Sequence, residues 1–319
     1  MIPASLPYPG IPYGMAPAWL FPATEISIYV LMILCLLHAR RIGGQAFSYL
    51  FGGLIFGLLL EYFEVLGGDY TYGQFWVMLG RAPYDVPLCI GCGWAIIMYT
   101  ARLFSDGVGL PLLAAAALDT LLALNIDLSM DVVAYRVHMW HWHWNLQSEN
   151  PLTAQWFGIP YGNFVGWITV VFCYSAFSRL FERLMGRYRR GALMRFGAVA
   201  MLAVACSLGV LVLTETFVFP FLTKYAGLTS GRRLILLALA LIAWVIFSRK
   251  RRPASAGRQA PITSLVPYWF HFFFFSCFLV FGFYRENPWM TAAAVLNVLI
   301  GITVHLYPGS RRLMGKAYK

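Results

Sequence analysis

Apolar runs of helix-spanning length recur along the whole chain, separated by short polar or glycine- and proline-bearing stretches. Nine can be marked, at roughly 20–38, 47–66, 86–104, 108–126, 163–181, 196–219, 232–248, 267–284 and 289–307. Each approaches the roughly twenty residues that an α-helix needs to cross a bilayer core. The runs are continuous and rich in Leu, Phe and Ala, unlike the alternating strands of roughly ten residues in an outer-membrane barrel. The pattern predicts an all-α, polytopic bundle of about nine transmembrane helices.

The connections divide by charge. Basic residues bunch at Arg40–Arg41, Arg179–Arg195, Arg249–Arg258 and Arg311–Lys319, after the first, fifth, seventh and ninth runs, and Arg102 ends the third. The connections after the even-numbered runs are poor in Lys and Arg. Short basic loops stay cytoplasmic, so the pattern predicts an N-out, C-in topology. The formal charge of +11 is then a topology signal and not a nucleic-acid footprint. Composition agrees, with 60% hydrophobic and 12% charged residues. Soluble domains carry about 25% charged residues. The uncharged, Pro- and Gly-rich opening stretch lacks the basic region of a cleaved signal peptide, so the first run is expected to remain as a span.

The sequence RKRRPASAGRQAPI offers one boundary. It separates a membrane core (1–248) from a C-terminal pair of spans (263–319) by a basic cytoplasmic linker (249–262). Cys89 and Cys92 form a CxxC, but inside an apolar run with no second pair, a setting that fits helix packing. Two connections exceed simple turns, at 67–85 and 127–162, both rich in Trp and Tyr, which settle at the headgroup level. The second is expected to contain an interfacial helix over about 128–141.

The chain holds thirteen Asp and Glu residues, so their positions matter. An ionisable group at membrane depth costs about 2.5 kcal/mol or more, and usually has a partner or a task. Glu61 and Glu64 share a face near the end of the second run. Asp69 and Asp85 flank the next connection. Asp119 lies inside the fourth run, and Asp127 and Asp131 follow at i, i+4 spacing. Carboxyls gathered under an aromatic lid suit proton chemistry, because an apolar setting favours the acid form. Pairing with Arg81 and Arg136 would explain them without chemistry. Arg285–Glu286 and Glu215 are further candidates for the same region.

His138, His141 and His143 stand in HMWHWHW. On a helix His138 and His141 would share a face, and a carboxylate beside them would make a metal site. Read as amphipathic residues of the membrane interface, they need no metal. His271 and His305, isolated in apolar runs, fit interior packing, with axial ligation of a b-type haem as the alternative.

Residues 158–167 read Gly-Ile-Pro-Tyr-Gly-Asn-Phe-Val-Gly-Trp. This resembles the G-[IV]-P-x-x-N-F-x-G-W signature of the carotenoid biosynthesis membrane family that includes the γ-carotene and bisanhydrobacterioruberin hydratases. Glu61-Tyr-Phe-Glu64, Gly67-Gly68, Tyr70-Thr-Tyr72-Gly73, Tyr84-Asp85 with Pro87, and Asp127 with Asp131 fit the same family in the same order, over about 45–170. Val132 stands where the family pattern has proline. The resemblance implies a multi-pass enzyme of a bacterial cytoplasmic membrane that hydrates the terminal C=C of an acyclic carotenoid end group. Protonation gives a tertiary cation, which water captures; no cofactor is implied. The implied acid, base and orienting residues are Glu61, Glu64, Asp127, Asp131 and Asn163. The implied substrate-facing residues are Tyr70, Tyr72, Asp85, Trp140, Trp142, Trp144, Trp156 and Trp167, with Gly158 and Gly166 allowing close packing.

Two other readings stay open at this level. One is a metal-dependent membrane oxidase using the histidine cluster. The other is a non-enzymatic pigment- or lipid-binding protein, or a structural subunit of a membrane complex. The implied partners are a carotenoid or other polyprenoid lipid, and other carotenoid enzymes or a membrane complex, with no nucleic acid.

Overall fold

The computed structural model describes residues 16–143, 154–185, 192–249 and 260–306. Helices α1 (Leu20–Ile42) and α2 (Gly44–Gly67) are joined through Gly43 alone. Three short strands follow, β1 (Tyr70–Tyr72), β2 (Met78–Leu79) and β3 (Val86–Pro87). Next come α3 (Leu88–Val108), α4 (Leu112–Arg136), β4 (Trp140–Trp142) and an irregular turn, α5 (Ala154–Phe157). The remaining helices are α6 (Tyr161–Met185), α7 (Ala192–Leu213), α8 (Phe219–Ala226), α9 (Ser230–Arg249), α10 (Ile262–Val280) and α11 (Pro288–Leu306). A π-helical turn, Thr214–Val218, joins α7 to α8, so that one span runs Arg195–Ala226. Among the described residues nine helices are long and apolar enough to cross a membrane. The chain is the all-α polytopic bundle that its apolar runs predict.

Helix α3 is central, with 78% of its apolar window buried, and α9 is the outermost, at 6%. Without a hydrophobic drive between helices in lipid, small residues set how closely two of them approach. Gly53 and Gly57, one turn apart on α2, supply that stripe against α3. A Cβ at Gly57 would lie 2.6 Å from the Cβ of Trp94, and one at Gly53 would lie 3.3 Å from the Cα of Ala95. The approach carries the Trp94 indole to within reach of Glu61, one turn beyond Gly57. Helix α10 packs on α1, α3 and α4, which places the C-terminal pair against the core.

The expected interfacial helix over 128–141 is not formed. Helix α4 continues unbroken to Arg136, and the chain then turns into strand β4. Its polar residues can stay in the span because each finds a partner inside the bundle. Asp127 and Asp131 meet Asn163 of α6, and Arg136 pairs with Glu286 at 2.8 Å.

A second polar layer lies toward the opposite ends of the same helices. Arg179, which the sequence puts at the head of a basic loop, is instead buried in α6. It donates to Asp119 at 2.6 Å and to Asp106 at 2.9 Å, while Ser175 donates to Asp119 at 2.6 Å. Arg102 grips Glu182 at 2.8 and 2.5 Å, and Gln45 adds a bond to Glu182 at 2.6 Å. The layer links α2, α3, α4 and α6. Removing one partner of a buried ion pair strands the other charge, at about 3–5 kcal/mol. Arg179→Ala should therefore lower the unfolding temperature in detergent by many degrees. A variant that melts with the wild type would show that Asp119 does not depend on this partner.

Candidate active site

At the other end of the bundle a small antiparallel ribbon closes the helices. Strand β1 pairs with β4 in the register Tyr70↔Trp142, Thr71↔His141 and Tyr72↔Trp140. Side chains alternate across a strand. Tyr70, Tyr72, Trp140 and Trp142 therefore form one face, directed at the helices, and Thr71 and His141 form the other. The inner rings pack edge to face, with Tyr70 and Trp142 centroids 4.7 Å apart. The loop after β1 is held by Glu25, a fully buried carboxyl on α1 that accepts the backbone N–H groups of Trp76 and Val77 at 2.8 and 3.0 Å.

Glu61 ties this ribbon to the bundle. Its Oε2 accepts hydrogen bonds from the hydroxyls of Tyr70 and Tyr72, and its Oε1 accepts one from Trp94 Nε1 at 2.5 Å. One carboxyl thus joins α2, β1 and α3. Burial, and then the adjacent Glu61 charge, hold both tyrosine hydroxyls well above the usual phenol range, so they remain donors. Trp94 also stacks on Trp167 of α6, with centroids 3.9 Å apart and planes inclined by 24°.

Facing Glu61 is a second carboxyl group. Asp127 and Asp131 stand one turn apart on α4, both buried. Asn163 Nδ2 donates to both, at 3.1 Å to Asp127 and 2.6 Å to Asp131. The G-I-P-Y-G-N string is what aims Asn163. Gly158 adopts φ 97°, a conformation that favours glycine, and reverses the chain into the start of α6. Gly166, by contrast, is not a close-packing position, because a Cβ there would meet nothing within 4 Å.

Glu61, Asp131 and Asn163 line a cavity beneath the ribbon. Its walls include Tyr70, Tyr72, Trp94, Trp140, Trp142 and Trp167, and its apolar end is closed by Ile28, Ile97, Phe270 and Phe274. The cavity is a slot that sets two carboxyls and four indoles against an otherwise largely apolar lining. A second, larger cavity adjoins it and receives Glu64, Asp69 and Glu215. The other residues that the sequence proposes for the site are not gathered there. Trp156 donates to Leu128 O at 2.8 Å and packs on Phe164, and Asp85 sits in the turn before β3, lining neither cavity. Trp144 lies outside the described residues.

The histidines sit on the ribbon's outer side or its turn. His143 contacts Thr71 Oγ1 at 3.1 Å and Gly68 O at 3.2 Å. The His138 and His141 rings lie 5.0 Å apart, and burial, followed by the neighbouring His138 and His143 charges, drops the His141 pKa to about 3, keeping that ring neutral. Among the described residues no three His, Cys, Asp or Glu side chains converge as a metal ion would require.

Sequence reasoning missed Trp94, Glu25, Phe270 and Phe274. Glu25 carries the same signal as the other acids, since it lies just inside the first apolar run. The lid geometry gives a direct test. Glu61→Leu leaves three buried donors without their acceptor, each costing about 1–3 kcal/mol. Amide exchange over 70–72 and 140–142 should then accelerate by roughly tenfold or more. Unchanged protection in a folded variant would show that Glu61 does not hold the lid.

No curated protein and no solved structure matches the chain. The family model described as "Carotenoid biosynthesis protein" matches residues 20–229, which span the lid, both carboxyl groups and the two cavities apart from the α10 wall. This membrane-embedded chain belongs to the carotenoid biosynthesis protein family.

Proposed function

We propose that the protein hydrates the terminal C=C of an acyclic carotenoid end group by acid catalysis, in the cytoplasmic membrane of a bacterium. The observation that carries this reading is the Asp127–Asp131 pair, bridged by Asn163, at the polar end of an aromatic-walled apolar slot. The family match supports the carotenoid, and the carboxyl pair supports the reaction.

Asp131, which lines the cavity, transfers its proton to the CH carbon of the terminal double bond, leaving positive charge on the dimethyl carbon. The Trp94–Trp167 stack and the inner face of the ribbon present π-faces to that charge, each worth about 2 kcal/mol when desolvated. Glu61, held by three donors, supplies a fixed polar group across the slot. A water molecule bonds through oxygen to the tertiary carbon and gives up one proton to the aspartate pair. One proton is consumed and one returned, and the net change is addition of water to the double bond. Asn163 holds both aspartates in register and leaves its Oδ1 to orient the water. Asp127 keeps the shared proton beside Asp131.

Expression in a lycopene-accumulating bacterium, followed by chromatography and mass spectrometry of the pigments, tests the reading. A product heavier by one or two waters is expected. Asp131→Asn should reduce it by about 100-fold or more at equal protein level. Unchanged pigments from well-expressed wild-type protein, with γ-carotene tried as well, would overturn hydration in favour of pigment binding. A second prediction separates the metal-dependent reading. His141→Leu and His143→Gln lie outside the proposed machinery and should keep the product within about threefold of wild type. Loss of product in either folded variant would return the histidines to the reaction.

A further inference from the structure

The second cavity is the larger of the two and differs in character. Leu60, Val170 and Leu211 form its apolar sides, and Glu64, Asp69 and Glu215 give it three carboxyls, with no Lys or Arg among the described residues that line it. Asp69 and Glu215 are exposed and Glu64 is half-buried, so the chamber reaches the surface. Glu215 belongs to the membrane-crossing segment Arg195–Ala226. A carboxyl in such a segment is tolerated where it faces water instead of lipid. Glu215 sits in the π-helical turn Thr214–Val218, a rare winding that recurs at functional sites.

The two cavities share a wall made of Tyr70, Trp94, Trp142, Asn163 and Trp167. Two atoms in that wall are placed to handle water. Asn163 spends its N–H groups on the two aspartates, which leaves its carbonyl oxygen as an acceptor. Trp142 Nε1 is buried and has no hydrogen-bond acceptor among the described residues. Gly162 and Gly166, one turn apart on α6, keep the chamber open, since a Cβ at either would meet nothing within 4 Å.

We propose that this second chamber is the vestibule that delivers the water substrate, with Glu64 and Glu215 holding a water chain that ends at the Asn163–Trp142 wall. The inference rests on the hydration reading and divides its labour: the lipid enters one cavity and water the other. Glu64 is then a positioning residue that acts through water. The division has a chemical consequence. A tertiary cation that forms but is not met by water loses a proton from an adjacent carbon and returns to an alkene. The aspartate pair takes that proton back, and when it comes from a methyl carbon the one acquired from the acid stays in the hydrocarbon, with no water added.

Membranes containing the full chain, supplied with the acyclic carotenoid in heavy water, read both fates. Hydrated product reports capture of the cation, and deuterium in recovered, unhydrated carotenoid reports protonation without capture. Gly166→Leu, which fills the chamber from a position with open space, should lower hydration by roughly tenfold or more. Deuterium incorporation should stay at or above the wild-type level. Glu64→Gln, which preserves volume, should shift the same ratio in the same direction by a smaller factor. Unchanged hydration in folded Gly166→Leu protein would overturn the proposal, and so would hydration and exchange falling together, as they would on loss of the acid. Wild-type membranes giving neither hydration nor exchange would instead overturn the hydration reading itself.

Discussion

The Glu61 carboxyl is the constraint on which the site depends. A buried carboxyl in a membrane bundle has to be met by donors, and this one is met by three that come from different elements. Because Tyr70 and Tyr72 both reach it, strand β1 is drawn down onto the helices. Pairing with β1 then fixes β4 and brings its tryptophans inward. Because Trp94 reaches the same carboxyl, the α2–α3 approach permitted by Gly57 becomes a defined indole position, and Trp167 stacks on that indole. The lid, the aromatic wall and the spacing of two central helices follow from one acceptor.

Two polar layers in the same helices are solved differently, and the difference separates architecture from chemistry. Asp119 and Glu182 face arginines, so their charges are compensated within the bundle. Asp127 and Asp131 face one another and a neutral amide. Along α4 only about 12 Å of helix separates Asp119 from Asp127, at roughly 1.5 Å per residue. A buried carboxyl with an arginine is accounted for by folding. A pair bridged by an asparagine has no such counter-charge, and on the proposed reading that leaves it free to hold and pass a proton.

The spans were legible because each is a long apolar run, and lipid leaves the backbone no choice but helix. The acids at 61, 127 and 131 stood out because ionisable groups are costly at membrane depth, the G-I-P-Y-G-N string stood out by its resemblance to a family signature, and the fold brings Asp127, Asp131 and Asn163 together. What failed was the period of a short segment. Residues 140–144 alternate Trp and His strictly, which is the signature of a strand, but the surrounding helices biased the reading toward i, i+3 pairing. The misreading put His138 and His141 on one helical face, where the ribbon instead separates tryptophans from histidines. Arg179 was misplaced for a related reason: beside a run of basic residues, composition alone does not show that its partner is an aspartate 60 residues earlier. Trp94 carried no local signal, since its role comes from Gly57 and Glu61 on another helix.

The apolar end of the slot is walled by Phe270 and Phe274, from a helix that begins after the family match has ended. That helix is followed by Glu286, which clasps Arg136 at the end of α4 and fastens the C-terminal pair to the carboxyl-bearing helix. The carboxyls and the aromatic wall opposite them are thus written in separate stretches of the chain and meet only on folding. Such a division lets descent act on them independently. On the proposed reading, a change of ring size in α10 would alter which hydrocarbon fits while leaving the Asp127–Asp131–Asn163 group as it is.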